Sequence, residues 1–277
     1  FMGLLKDPDN PGRFLQSTLV GAKYLPSLKN TRWSPYDLDT SHVLDKSLQL
    51  FFRRARIDFQ VLKHPSDPRT KFDLFQRLNR GGAYANEQEV RSCSMVLANR
   101  EFTKAIKKFA ETDVFKSVFR ITSDQLYNQT NVEFAVRLIV HTLQDFDNST
   151  DVQEFLDKSI INILTSADQN SVMDTINWTV ETLYRVLGEK ALIPATDAPE
   201  EIANRFSLRA LEAIAAGIAR NRVAILALKN QDEFIRERVN LFWKQEEVVQ
   251  MSASGLRGTT RLLRTVPFGQ TWFSPNA

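Results

Sequence analysis

From about position 95 onward, apolar residues recur at three- and four-residue intervals, and polar breaks cut the pattern into lengths typical of helices. The spacing predicts helices over 113–120, 131–146, 150–165, 168–188, 198–220 and 230–250. Phe102 to Phe109 reads as a further amphipathic helix, with Lys104, Lys107 and Lys108 opposite its apolar side. In 206–218, Phe206, Leu208, Leu211, Ile214, Ala215 and Ile218 give a broad apolar face suited to a core helix. Gly188 to Pro194 reads as a hinge loop dividing this half.

The first part of the chain is patterned differently. Residues 1–5 read as the end of a helix, stopped by the loop punctuation of Lys6-Asp-Pro-Asp-Asn-Pro-Gly12. Pro26 and Pro35 break any long element in 13–40, and Trp33 to Leu38 supplies aromatics for a small core. Ser41 is placed to cap a helix through Val43, Leu44, Leu48, Phe51 and Phe52. Ile57 to Leu62 alternates with period two, the clearest strand pattern in the sequence. Phe72, Phe75 and Leu78 return to helical spacing, and Gly81-Gly82 supplies the backbone freedom that ends a helix. Asn86, with Glu89 three residues on, reads as an N-cap and its reciprocal partner, so a second helix runs from about Glu87 to Asn99. The local shape is helix, diglycine corner, helix. Asn79, Arg77, Arg80 and bare backbone N–H groups converge there, which suits a phosphate or another anion.

Charge sharpens this picture. The net charge of +3 conceals a basic stretch, residues 1–120, with 21 Lys/Arg against 13 Asp/Glu, and an acidic one, 121–250, with 12 against 20. The excess of cations directs attention to the first stretch for contact with phosphates. Arg53, Arg54 and Arg56 are candidate DNA contacts and join Arg77, Arg80 and Arg91 as a candidate basic face. Residues 251–277 lose periodicity and carry three arginines and no acid. Arg257, Arg261 and Arg264 are spaced for one helical face, but the neighbouring glycines argue against a stable helix, and a basic, irregular tail is expected.

Several chemistries find no support. The three histidines, His42, His64 and His141, are scattered and lack zinc-ligand spacing, so no metal site is assigned. Arg137-Leu-Ile-Val-His141 is too closely spaced for an Arg-to-His ribonuclease pair and lies in an apolar helix. Asp145, Asp147 and Asp151 read as a helix end and the next N-cap rather than a calcium loop. Phosphate-loop, dinucleotide and hydrolase-elbow motifs do not occur. The single cysteine, Cys93, excludes an internal disulfide framework and reads as a small hydrophobe in a cytoplasmic protein. No apolar run reaches membrane-spanning length.

The run Phe72 to Arg91 resembles the Phe-x-x-(Ile/Leu)-Asn-x-Gly-Gly…Glu-(Ile/Val)-Arg signature of the GmrSD restriction endonuclease N-terminal domain family. The matching positions are Phe75, Leu78, Asn79, Gly81, Gly82, Glu89, Val90 and Arg91, while Ala85 stands where the family has a larger aliphatic. The resemblance is tight over 72–93 and loose over roughly 1–225; Phe206 to Ile218 is similar in character to the family's late helix. It implies a mainly α chain, the remnant of a small ParB-like α/β region followed by a multi-helix region. The corresponding divisions are 1–95, 96–250 and the tail 251–277. It also implies nucleoside triphosphate hydrolysis with Mg in the full-length protein, anti-phage restriction as the setting, DNA as target, and an HNH or other nuclease as partner. Arg77, Asn79, Arg80, Gly81 and Gly82 would hold the nucleotide phosphates, supported by Glu89 and Arg91.

The family's hydrolytic Asp-Gly-Gln-Gln-Arg motif is absent, since no Asp-Gly dipeptide occurs in the chain. The sequence opens on Phe1-Met-Gly-Leu-Leu, so the expectation is that an upstream part carrying the motif is missing. Two alternatives stand beside this reading. One is a non-enzymatic helical interaction module. The other is a helix-turn-helix reader of DNA offering Gln88, Arg91, Ser92 and Asn99 to base edges.

Overall fold

The computed structural model describes residues 5–6, 14–15, 18–19, 26–33, 42–56, 86–194, 206–250 and 257–276. The protein is mainly α, as its apolar spacing predicts, and divides into two compact units, Phe1–Pro65 and Ser66–Ala277.

In the first unit, β1 (Leu5–Lys6) pairs antiparallel with β2 (Phe14–Leu15), with Leu5 opposite Leu15. Leu5, expected in a helix end, is therefore in a strand. Helix α1 (Lys46–Arg54) begins later than the Ser41 cap predicts. Val43 and Leu44 are drawn into extended pairing with Arg32, whose N–H donates to His42 O at 2.7 Å and whose carbonyl accepts from Leu44 N at 2.8 Å. The Asp45 carboxylate then caps the helix by accepting from Ser47 N. The predicted strand 57–62 lies outside the described residues.

The second unit is a helical bundle. Its elements are α2 (Glu87–Ala98), α3 (Arg100–Ala110), α4 (Asp113–Val118), α5 (Ser123–Tyr127), α6 (Thr130–Leu143), α7 (Val152–Ser166) and α8 (Gln169–Leu187). Each of α2, α3, α4, α5, α7 and α8 starts on the side-chain oxygen of an Asn, Thr or Asp accepting a first-turn N–H. Such caps stabilise a helix by about 1 kcal/mol apiece and fix where it begins. Asn99 serves two helices, ending α2 and capping α3, while its Nδ2 donates to Leu164 O at 3.1 Å. Helix α6 is the axis of the bundle: Asn131, Val132 and Ala135 to His141 are all buried. Phe115 stacks on Phe119 at 4.1 Å, and Phe206 joins them beside Phe134 at 4.5 Å. The predicted hinge at 188–194 is anchored instead, because Ala191 and Leu192 are fully buried after a 3-10 turn, Gly188–Lys190.

Next come α9 (Leu208–Ala210), a π-helical turn (Leu211–Ala215) and α10 (Ala216–Arg220), which run on without a break in helical backbone. Sequence spacing predicts an apolar face here, yet Leu211 to Ala219 are buried on every side. Helices α11 (Arg222–Leu226), α12 (Gln231–Phe242) and α13 (Glu246–Gln250) follow.

The expectation of an irregular tail is overturned by α14 (Gly258–Trp272), a 15-residue helix packed against the π turn and α10. One of the tail glycines, Gly269, together with Gly217 of α10, allows it to pack. A Cβ on Gly269 would lie 2.1 Å from Ala213 O, and one on Gly217 would lie 2.5 Å from Gly269 O. Only hydrogen at both positions permits the two backbones to approach so closely.

Candidate functional site

The predicted phosphate corner, Arg77, Asn79, Arg80, Gly81 and Gly82, lies outside the described residues. The described chain resumes at Asn86, where the sequence reading of the helix start holds: Asn86 Oδ1 accepts from Glu89 N at 2.9 Å, and Glu89 Oε2 accepts from Asn86 N at 2.7 Å. This capping box fixes the direction in which the chain enters α2. Asn86 Nδ2 also donates to Asn128 O at 3.0 Å, tying that entry to the turn before α6.

Arg91 does not pair with Glu89 on the helix surface. It points inward, only 2 % exposed, and α7 supplies its partners. Its Nε donates to Asp157 Oδ1 at 2.5 Å, Nη2 to Gln153 Oε1 at 2.7 Å and Nη1 to Gln88 Oε1 at 2.8 Å. Burial holds the Asp157 carboxyl above its ordinary range, although the Arg91 charge and hydrogen bond pull it the other way. A charged pair with that balance contributes orientation more than net stability.

The network continues from Arg91. Gln88 Nε2 donates to Ser92 Oγ at 3.2 Å, and Ser92 Oγ donates to Gln129 Oε1 at 2.9 Å. A polar chain thus runs from α7 through α2 to the first turn of α6. Gln88 and Ser92 are buried with Arg91, while Val96 and Leu97 are exposed. The helix-turn-helix alternative required the opposite arrangement, with Gln88, Arg91 and Ser92 facing outward to base edges.

Arg53, Arg54 and Arg56 are exposed at the end of α1, where cations suit the helix C-terminus, and Arg53 lies 5.5 Å from the Trp33 ring. Asp151 caps α7 through Gln153 N and Glu154 N, as the sequence indicated. Asp147 binds Ser149, which holds its carboxyl below the usual range, and Asp145 is paired with Arg220. Among the described residues no group of three or more His, Cys, Asp or Glu is placed to hold a metal ion, and no described helix is long and apolar enough to cross a membrane. Cys93 is half-buried.

Sequence reasoning missed a second polar centre. Glu212, in the π turn and fully buried, accepts from Arg261 Nε at 3.0 Å, Arg261 Nη2 at 2.9 Å and Thr265 Oγ1 at 2.9 Å. Arg209 is nearby, its guanidinium pushed below its ordinary range by burial and by Arg261. A lone acid inside Leu-Arg-Ala-Leu-Glu-Ala-Ile, with arginines at helical spacing in the tail, was the available signal. Arg220 closes the C-terminal end of α6, donating to His141 O and Gln144 O, both at 2.7 Å. Arg137 and His141 are themselves buried, at 5 % and 1 % exposure, which leaves no access for a nucleic-acid substrate.

Comparison with protein-family models, with curated proteins and with solved structures gives no match for this chain.

Proposed function

We propose that this chain is the helical part of a GmrSD-like protein of anti-phage restriction, which in complete form hydrolyses a nucleoside triphosphate, with its Mg, to act on foreign DNA. Asn79, Gly81 and Gly82, flanked by Arg77 and Arg80, close the phosphate site from the helical side, and the nuclease is a further domain or chain. The observation that carries this reading is the run from Phe75 to Arg91, in which a polar diglycine corner is followed at fixed spacing by Glu89 and Arg91. The geometry of the last two supports it by giving that spacing a physical reason. Glu89 sets the start of α2 and Arg91 bolts the same helix to α7, so a corner joined to α2 has a firm abutment.

The test is phosphate release by the complete protein expressed from its own gene. Asn79→Ala should abolish hydrolysis while leaving the thermal unfolding midpoint in place. Hydrolysis retained in that variant would remove the site assignment and leave the helical interaction module as the better reading.

A further inference from the structure

Beside the start of α6 lies a cavity of ≈ 460 Å³, a volume that accommodates a small phosphorylated molecule. Its wall is built from three directions: Lys107 and Glu111 at the end of α3, Lys116 on α4, and Gln129 and Asn131 at the entry to α6. Lys107 is half-buried, and its ammonium has neither a hydrogen bond nor an ion pair among the described residues. Lys116 pairs at 2.7 Å with Asp113, but that carboxylate is 96 % exposed, so water competes for it and the ammonium is cheaply redirected. Two cations therefore line one concavity with no buried acid to neutralise them. Glu111 stands exposed at the rim.

The backbone adds donors to the same space. Gln129 enters α6 with a left-handed φ of 57° and gives the helix no side-chain cap, its Oε1 being held by Ser92. The N–H groups of Asn131 and Val132, both in the cavity wall, consequently have no acceptor among the described residues. A 14-residue helix presents its positive end in the same wall as the two lysines.

We propose that this cavity binds a phosphate ester, with Lys107 and Lys116 supplying the ion pairs and the first turn of α6 supplying backbone hydrogen bonds. The site does not rest on the corner reading, because none of its residues lies within 72–91. Its ligand chemistry has two sources, a free nucleotide or the backbone of a nucleic acid.

Isothermal titration of the 277-residue chain with ATP, and separately with a short DNA duplex, tests the site and tells these sources apart. Lys107→Gln and Lys116→Gln should each weaken binding roughly tenfold, which is about 1.4 kcal/mol. Lys104→Gln, on an exposed turn of α3 outside the cavity, should leave it unchanged. ATP binding without duplex binding assigns the cavity to nucleotides. Duplex binding that steepens with falling salt and flattens in the lysine variants assigns it to a nucleic-acid backbone. Neither probe binding at millimolar concentration would overturn the proposal, and so would binding that survives the double Lys107→Gln, Lys116→Gln substitution. Binding lost in Asn79→Ala but kept in the double variant would place the phosphate at the corner and leave the earlier reading standing alone. Circular dichroism checks that every variant is folded; the three lysines are exposed or half-buried.

Discussion

His141 lies in the last turn of α6 with its ring parallel to Phe155 and its Nε2 without a partner among the described residues. Burial, and then the charges of Arg137, Arg220 and Arg261, push its pKa down from 6.5 to about 3. The imidazole is therefore neutral in the folded protein and must gain a proton in the unfolded chain as pH falls. The sign follows: this residue's contribution is complete above pH 6.5 and is lost progressively toward pH 3. Over the roughly 1.5 units between 6.5 and 5, at about 1.4 kcal/mol per unit, the folded state loses about 2 kcal/mol. That is a substantial share of a typical folding free energy of about 5–15 kcal/mol. Urea unfolding at pH 7 and pH 5, for the natural chain and for His141→Leu, isolates the effect because the other titrating groups are common to both. The substitution leaves the His141 carbonyl in place for Arg220, so the end of α6 stays closed. The natural chain should lose about 2 kcal/mol more than the variant between the two pH values. Parallel losses would show that the imidazole is not buried neutral and would refute the reasoning.

Two further outcomes follow from the packing of α14. Gly269→Ala gains about 1 kcal/mol in helix propensity but forces a Cβ to within 2.1 Å of Ala213 O, so overpacking of about 3 kcal/mol should prevail and lower the urea midpoint; an unchanged midpoint would mean the helices do not cross this closely. Arg261→Met strands the fully buried Glu212 carboxylate and should cost about 3–5 kcal/mol in the same assay, most of it recovered in the Glu212→Leu, Arg261→Met double variant, whereas equal losses in single and double variants would show that the pair is not a coupled unit.

What was legible in the sequence was whatever is encoded locally. Helices over 113–120, 150–165 and 168–188 are found within a few residues of their predicted limits because Thr112, Asp151 and Asp168 cap them from adjacent positions. The Asn86–Glu89 box was readable for the same reason. What escaped notice depends on partners far along the chain. Val43 and Leu44 left the predicted helix because Arg32 was there to pair with them. The tail became a helix because Gly269 meets Ala213, fifty-six residues earlier, and Arg261 meets Glu212, neither of which any window of spacing contains. The burial of Gln88, Arg91 and Ser92 was equally hidden. These polar residues bond to one another and to acceptors on α7 and at the N-cap of α6, and a helix that buries its polar side against others inverts the usual reading of its faces.

Arg91 illustrates how a chemical reading and a structural one can both hold for a single signature. An arginine nine residues past a diglycine corner invites assignment to a phosphate, yet its guanidinium donates to Asp157, Gln153 and Gln88. Lysine could not replace it, because a single ammonium cannot reach three acceptors in a planar fork. The residue type is thus demanded by α7 rather than by a ligand. The consequence for the proposed site is a division of labour along fifteen residues: Arg77 to Gly82 would meet the phosphate, while Glu89 and Arg91 hold the helix that follows. The same polar chain ends at Gln129, on the wall of the lysine-lined cavity. A ligand settling on the first turn of α6 would therefore press on the side chains that orient α2. Helix α2 and the cavity are joined by four hydrogen-bonding side chains, Arg91, Gln88, Ser92 and Gln129.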